Sequence, residues 1–278
     1  MAAAAPPLNV HVVNYPLKYF AERIGGDHVR VHFPVPADID PAYWLPRIKD
    51  IANYQQADLI LLNGAGYAKW TRKVTLPRSK MVDTSKAFKD RYIVMEEAVT
   101  HSHGAEGEHA HESTAFTVWL DFELAAGQAR AVAKAFIRKR PDLKATFSAN
   151  LAGLEKDLSG LDGELKRLVS NNPSRPLLGS HPVYHYLARR YGLNMRSVHW
   201  EPGEVPDDRQ MMELHGLLKD HPAQWMVWEG APVAASADRL ETIGIHSLVF
   251  DPCANTPASG DFLSIMRQNI DNLKAAYR

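Results

Sequence analysis

Short apolar segments alternate with amphipathic segments along most of the chain. Eight apolar segments have the length and residue types of β-strands: 8–14, 29–36, 57–63 and 80–84 in the first half, and 175–181, 193–200, 224–230 and 246–252 in the second. The first intervening segment has apolar residues at helical spacing, at Leu17, Phe20, Ala21 and Ile24. Strands that alternate with helices predict parallel sheets covered by helices. We therefore predict an α/β fold with two Rossmann-like lobes.

A longer helical pattern lies between the two halves. Apolar residues recur at steps of three and four from Leu143 to Leu168, which places them in one stripe along one helix. Roughly thirty residues at about 1.5 Å each predict a rod of about 45 Å. We predict an N-terminal lobe at 8–140, a linking helix at 141–170 and a C-terminal lobe at 171–278. A coiled-coil dimer is the rival interpretation, but we favour a helix that packs on its own two lobes.

A histidine tract interrupts the first half of the chain. The segment THSHGAEGEHAHEST at 100–114 has no large apolar residue and contains His101, His103, His109 and His111. Neutral imidazole binds zinc well, so a flexible tract of this composition is predicted to collect metal loosely at neutral pH. The tract lacks the rigid spacing of a tetrahedral site. The alternative is a solvated loop with a chance excess of histidine.

Composition excludes several classes of protein. The chain has 278 residues, and its 32 Lys and Arg balance 32 Asp and Glu, so nothing favours capture of nucleic acid or of an anionic membrane. A single cysteine, Cys253, rules out an internal disulfide and a cysteine-rich zinc site. The first ten residues, MAAAAPPLNV, fit a mature chain whose signal peptide has been removed, with a Met added. The alternative is a disordered cytosolic N-terminus.

Residues that bind metals follow the predicted strands of the second half. Ligands of parallel α/β sheets bind at the carboxyl ends of the strands, so these side chains should meet at one edge. Imidazole with carboxylate suits zinc, or manganese and iron where oxygen dominates. Single residues of this kind are more often ordinary hydrogen-bonded strand ends, and the convergence of several favours a metal site. The candidates are His181, His185, His199, Glu201, Glu229 and Asp251.

No motif favours an enzyme. The segment NGAG at 63–66 lacks the lysine and the spacing of a phosphate-binding loop. The segment GSHP at 179–182 lacks the pattern of a nucleophile elbow. We therefore expect a binding protein without catalytic turnover.

Several segments together resemble the cluster A-I solute-binding proteins, the ZnuA/TroA-type receptors of ABC importers. They are YPLKYFAERIGGDHVRV, ADLILLNGAGYAKW, FTVWLDF, HPVYHYLARRYGL and VFDP, and the likeness covers nearly the whole chain. The resemblance implies two lobes joined by a rigid helix, modest lobe closure, and a metal held by two side chains from each lobe. It assigns His181 and Asp251 as the second-lobe pair.

The first-lobe pair departs from the family pattern. Ala42 and Thr117 stand where the family has histidines, and neither residue ligates zinc. Three explanations compete: the 101–111 loop or second-lobe residues complete the site, the pocket binds a metal chelate or other small ligand, or metal transport has been lost. We favour the first explanation. A chelate pocket would have apolar walls, for which the candidates are Tyr43, Trp44, Trp119 and Trp200.

The resemblance implies a periplasmic receptor that delivers a divalent metal to an ABC permease. We expect Zn2+, with Mn2+ or Fe2+ as the other possibilities, and we expect a monomer with no nucleic-acid partner. The alternatives are a receptor for a chelate or small organic ligand, a periplasmic metal chaperone or buffer, and an adhesin-like surface protein.

Overall fold

A computed structural model describes residues 5–95 and 113–278. The four histidines at 101, 103, 109 and 111, which we predicted to collect metal, lie outside the described residues. All eight predicted strands are present, and the predicted α/β fold with two parallel sheets is confirmed.

The first sheet is parallel and has the strand order β2-β1-β3-β4. Helix α1 begins after Asn14, whose side-chain oxygen accepts a hydrogen bond from the Leu17 amide at 3.2 Å, and it ends at Gly25 as predicted. Gly26 follows with φ of +52°, a conformation that favours glycine. The elements are β1 Leu8–Val12, α1 Tyr15–Gly25, β2 Val29–His32, α2 Ile48–Gln56, β3 Leu59–Leu62 and β4 Met81–Asp83.

The second sheet is also parallel and has the strand order β10-β9-β7-β8. Because its strands are parallel, their carboxyl ends all meet at one edge. Strands β5 and β6 and helices α3 and α4 lie between the two sheets along the chain. They are β7 Pro176–Gly179, α5 His185–Tyr191, β8 Asn194–Ser197, α6 Asp208–Asp220, β9 Trp225–Trp228, α7 Ala234–Glu241, β10 His246–Val249 and α8 Phe262–Leu273.

The connecting segment contains three elements that the sequence pattern did not predict. Strands β5 (Val94–Met95) and β6 (Ser113–Thr114) form a short antiparallel pair that flanks the histidine tract. Helix α3 (Phe122–Lys139) follows, and the buried carboxylate of Asp121 caps its first turn. Five of its ten buried residues are alanines, which stand among Phe122, Leu124, Val132 and Phe136 and mark the buried face less clearly than large side chains do.

The predicted linking helix is present as α4 (Lys144–Ser170), preceded by a short 3-10 turn at Pro141–Leu143. Most of its predicted apolar stripe is buried within the chain, and the helix packs against α1, α3 and α8. This burial favours the predicted rod on its own lobes over the coiled-coil dimer. None of the helices within 5–95 and 113–278 combines the length and hydrophobicity that crossing a bilayer requires.

Arg190 links helix α5 to both α3 and α4. Its guanidinium forms a bidentate pair with Asp162 on α4, with both N–O distances 3.0 Å. The same group contacts Glu123 and lies 3.6 Å from the fully buried carboxylate of Asp121. Arg190 therefore joins the second lobe to the first lobe and to the linking helix.

We predict that Arg190→Gln destabilises the protein by about 3 kcal/mol, because removing one partner leaves buried carboxylates without compensation. Urea unfolding followed by circular dichroism measures the change. Arg209→Gln is the matched control, since the Arg209–Glu213 pair is exposed and its loss should cost less than about 1 kcal/mol. Equal midpoints for the two variants would contradict the proposed role of Arg190.

Candidate metal centre

Each strand of the second sheet is followed by a predicted ligand at the same edge. His181 lies two residues beyond β7, and Glu201 lies four residues beyond β8. Glu229 directly follows β9, and Asp251 lies two residues beyond β10. The parallel sheet therefore brings residues that are 70 positions apart in the sequence to one rim.

Three of these residues form a compact group. The Nδ1 atom of His181 lies 3.4 Å from a carboxylate oxygen of Glu201 and 3.4 Å from one of Glu229. One ligand atom from each residue lies within 4.8 Å of the others. These separations are long for hydrogen bonds but suit atoms that surround one ion.

The carboxylates set the electrostatics of His181. Burial alone would lower the pKa of the imidazole, but Glu229, Glu201 and Asp40 outweigh it and raise that pKa above its usual value. The excess of negative charge around one imidazole favours any cation at this position, whether a proton or a metal ion.

Asp40 brings a carboxylate from the first lobe to the group. It lies in the turn after β2, and it interacts electrostatically with Glu229, His181 and Glu201. The side chain is exposed to solvent, but protein atoms lie around it. Desolvation is the larger cause that raises the pKa of Asp40, and the negative charge of Glu229 raises it further. The sequence pattern did not identify Asp40, which lies in the irregular segment eight residues beyond the end of β2.

Asp251 is held beside the group by its own backbone contacts. One carboxylate oxygen accepts a hydrogen bond from the Cys253 amide at 2.6 Å, and Asn269 pairs with the Asp251 backbone through its side-chain amide. Burial, with a further contribution from Glu229, raises the pKa of Asp251. The charged form of Asp251 is therefore disfavoured by burial and by the negative charge of Glu229.

The other two predicted histidines lie outside the compact group. His199 packs edge-on against His181, with ring centroids 5.8 Å apart. His185 is the first residue of α5, where burial lowers its pKa. Because Pro182 and the following turn intervene, His181 and His185 do not share the helix face that their spacing allowed.

Ala42 and Thr117 take structural roles at the positions of the absent family histidines. The Ala42 amide donates to the Asp40 carboxylate at 2.8 Å, which fixes the turn that carries Asp40. The Thr117 hydroxyl donates to the Val183 carbonyl at 2.5 Å and so joins the two lobes. Thr117 is buried and committed to this contact.

Three of the four predicted pocket walls are core residues, which corrects the expectation of an aromatic-lined cleft. Trp44 packs against Trp70, and Trp200 packs in the core of the second lobe. Trp119 is fully buried and donates its indole N–H to the Pro252 carbonyl at 2.7 Å. Only Tyr43, with 67% of its surface exposed, stands open at the rim.

The donor set is rich in oxygen. A single imidazole and two carboxylates form the compact group, and two further carboxylates, Asp40 and Asp251, lie beside it. Mixed imidazole and carboxylate donors bind Zn2+, Mn2+ and Fe2+, and they disfavour the soft ions that prefer sulfur.

The fold and this rim define a two-lobed α/β protein with a cluster of candidate metal ligands at the edge of its second sheet. The sequence matches the family described as zinc-uptake complex component A, periplasmic, over residues 10–276. The chain belongs to this family, as the resemblance implied. The family consists of substrate-binding components of importers and not of enzymes.

Individual relatives agree with this assignment. The chain is 28% identical to the zinc-binding lipoprotein AdcA of Streptococcus pneumoniae over 96% of its own length, but it spans 55% of that relative. It is 27% identical to the high-affinity zinc uptake system protein ZnuA of Bacillus subtilis, over 95% of this chain and 86% of that one.

Solved structures share the fold. The metal-dependent lipoprotein YcdH of Bacillus subtilis superposes with a TM-score of 0.82 at 24% identity, covering 96% of this chain and 98% of that chain. The Zn(II)-bound ZnuA-like domain of Streptococcus pneumoniae AdcA gives a TM-score of 0.83 at 21% identity, over 98% and 99% of the two chains.

We predict that His181 in metal-free protein titrates above the usual histidine value of about 6.5. Replacing Glu229 with Gln should lower the His181 pKa, because a carboxylate that stabilises the imidazolium is lost. Histidine NMR titration measures this shift. Glu241→Gln is the matched control, since Glu241 pairs with His246 and not with His181. An unchanged His181 pKa in Glu229→Gln would contradict the electrostatics described here.

Proposed function

We propose that this chain captures a divalent transition metal, zinc foremost, and delivers it to the membrane permease of an ABC importer. The observation that carries the proposal is the convergence of His181, Glu201 and Glu229 within 4.8 Å at the cleft edge of the second sheet. An ion bound there displaces the proton from His181 and neutralises the surrounding carboxylates.

The two lobes each contribute to the proposed site. His181, Glu201 and Glu229 supply ligands from the second lobe, and Asp251 lies beside them. Asp40 supplies negative charge from the first lobe, and its turn stands where the family's first-lobe ligand would lie. We propose Asp40 and Asp251 as the residues that complete the coordination in place of the histidines absent at 42 and 117.

The relatives support both the ligand and the setting of this function. AdcA and the Bacillus subtilis ZnuA are named for zinc, and a Streptococcus gordonii relative is named as a manganese ABC transporter substrate-binding lipoprotein. We propose Zn2+ as the main cargo, with Mn2+ and Fe2+ as further candidates. The family description also supports a location outside the cytoplasm. We propose that the chain acts there as a monomer. We further propose that the segment 141–170 divides its two lobes.

A receptor for a metal chelate or small organic ligand is the second candidate. Position 117 holds a threonine, so the first lobe has no imidazole there. The Thr117 hydroxyl donates a hydrogen bond to the second lobe instead. Tyr43 is exposed at the rim, and Glu201 and Glu229 interact with it electrostatically. The absence of an imidazole at position 117 and the exposed Tyr43 support a ligand that brings its own donors.

Calorimetric titration of chelator-stripped protein with Zn2+ tests the proposed function. We expect one tight site in the intact chain, and its loss in His181→Ala and in Glu229→Gln because each removes a donor from the compact group. His246→Gln is the matched control, since His246 is an exposed histidine paired with Glu241 at the far end of β10. Tight binding that persists in both site variants would contradict the proposed site.

Deletion of residues 101–111 tests our original expectation that the histidine tract replaces a missing ligand. The geometry now favours lobe carboxylates in that role, so we expect the tight site to survive the deletion and only weaker sites to disappear. Loss of the tight site would instead assign an essential ligand to the tract. Absence of any tight site in the intact chain would favour the chelate receptor.

A further inference from the structure

One surface of the first lobe carries a positive charge that the net charge of the whole chain does not reveal. Residues 45–49 and 69–80 together contain seven Lys or Arg and no Asp or Glu, although the formal net charge of the chain is zero. We call the exposed side chains of these two segments the α2 face. The zero net charge, from which we expected no attraction to an anionic membrane, therefore does not describe this face.

The two segments lie side by side on the first lobe. Trp70 packs against Trp44 and Tyr54, with ring centroids 5.8 and 5.0 Å apart. The Gln55 side chain on α2 donates to the Thr75 carbonyl at 2.8 Å. The β2–β3 and β3–β4 connections also run in the same direction across the sheet, and right-handed crossovers place such connections on one side of it. The cations of both segments therefore belong to one surface.

Most cations of the α2 face have no carboxylate beside them. Five of the seven are exposed and form no ion pair with any residue of 5–95 or 113–278: Lys49, Lys69, Arg72, Lys73 and Arg78. Cations elsewhere on the molecule do have such partners, as in the pairs of Arg130 with Glu155 at 2.5 Å and of Lys166 with Asp162 at 2.7 Å. The α2 face therefore presents uncompensated positive charge to the solvent, and such a face attracts anions.

Two aliphatic side chains project from the same face. Ile48 and Leu45 are 88% and 75% exposed, the highest values among the large apolar residues of the described chain. The turn that carries them is fixed, because Trp44 is buried beneath it and the Arg47 amide donates to the Asp50 carboxylate at 3.0 Å. Exposed aliphatic residues that are grouped in this way, with polar residues around them, are typical of interaction surfaces.

We infer that the α2 face docks on the surface of an anionic phospholipid membrane, where Leu45 and Ile48 enter the boundary between headgroups and acyl chains. Cations beside projecting aliphatic residues match a layer of anionic headgroups over hydrocarbon. A protein partner fits this face less well, because protein interfaces are depleted of lysine and the face has four lysines. None of its residues belongs to the proposed metal centre, so the inference does not rest on the proposed function.

Vesicle flotation of the full chain tests this inference. Vesicles of equal parts phosphatidylglycerol and phosphatidylcholine are compared with vesicles of phosphatidylcholine alone, and a chelator keeps zinc from bridging the protein and the lipid phosphates. We expect stronger binding to the anionic vesicles, which weakens as salt is added because salt screens exposed charges. Equal binding to both vesicles would overturn the inference. Binding to neither would also overturn it and would favour an acidic protein surface as the partner.

A variant with both Arg72→Gln and Lys73→Gln measures the contribution of charge. We expect it to bind the anionic vesicles about twentyfold more weakly, since each cation near an anionic bilayer contributes about fivefold. Arg138→Gln with Lys139→Gln is the matched control, because these neighbouring cations on α3 are also exposed and without an ion pair to a described residue. The control has the same net charge and an intact α2 face, so it should bind like the unaltered chain. Equal weakening of the two variants would contradict the assignment of the α2 face.

Ile48→Ser measures the contribution of the aliphatic side chains. We expect binding to weaken by about tenfold, because the apolar side chain no longer leaves water for the membrane. Met212→Ser is the matched control, since Met212 is 67% exposed on α6 in the second lobe and should not contact the bilayer. Circular dichroism checks that each variant keeps the fold. Affinity that is unchanged in Ile48→Ser would overturn the entry of this side chain into the membrane.

Discussion

The hydrogen-bonded seam between the lobes is the constraint on which the proposed metal centre depends. The Asn255 side chain donates to the carbonyls of Pro36 and Ile39 at 2.6 and 2.8 Å, directly beside Asp40. The Tyr15 amide donates to the Ala254 carbonyl at 2.9 Å. These contacts hold the first-lobe turn against the second lobe, where Asp40 interacts electrostatically with the compact group.

The same seam explains why the first lobe can lack the family histidines. Thr117 uses its hydroxyl to join the lobes, and Ala42 uses its amide to orient Asp40. The positions where the resemblance implies histidines make structural contacts here, and carboxylates are the donors that the structure places near His181. The result is a centre with one imidazole, in which the metal competes with a proton on His181 and gains from the surrounding negative charge.

Much of this arrangement was predictable because it follows from periodicity. Strand ends of a parallel sheet meet at one edge, so His181, Glu201, Glu229 and Asp251 were identified from position and residue type alone. Helix α3 was missed because half of its ten buried residues are alanines, which mark an apolar stripe less clearly than large side chains do. Asp40 was missed because it lies in an irregular turn, where no periodicity indicates which side chain faces the cleft.

The predicted aromatic walls show the opposite error. Tryptophan near a strand end was interpreted as a cleft residue, but Trp44, Trp119 and Trp200 bury their large side chains in the cores, where the apolar area stabilises most. Residue type indicated that these tryptophans bury apolar area. It could not indicate whether their side chains pack in a core or line the cleft. Only contacts between distant segments, such as Trp119 with Pro252, decide that question.

Anomalous diffraction at the zinc edge, from crystals of the protein loaded with one equivalent of Zn2+, tests the central claim most directly. The account predicts one dominant peak bounded by His181, Glu201 and Glu229, with Asp40 or Asp251 completing the coordination. A dominant peak elsewhere, including one held by the histidines of 101–111 without His181, would contradict it.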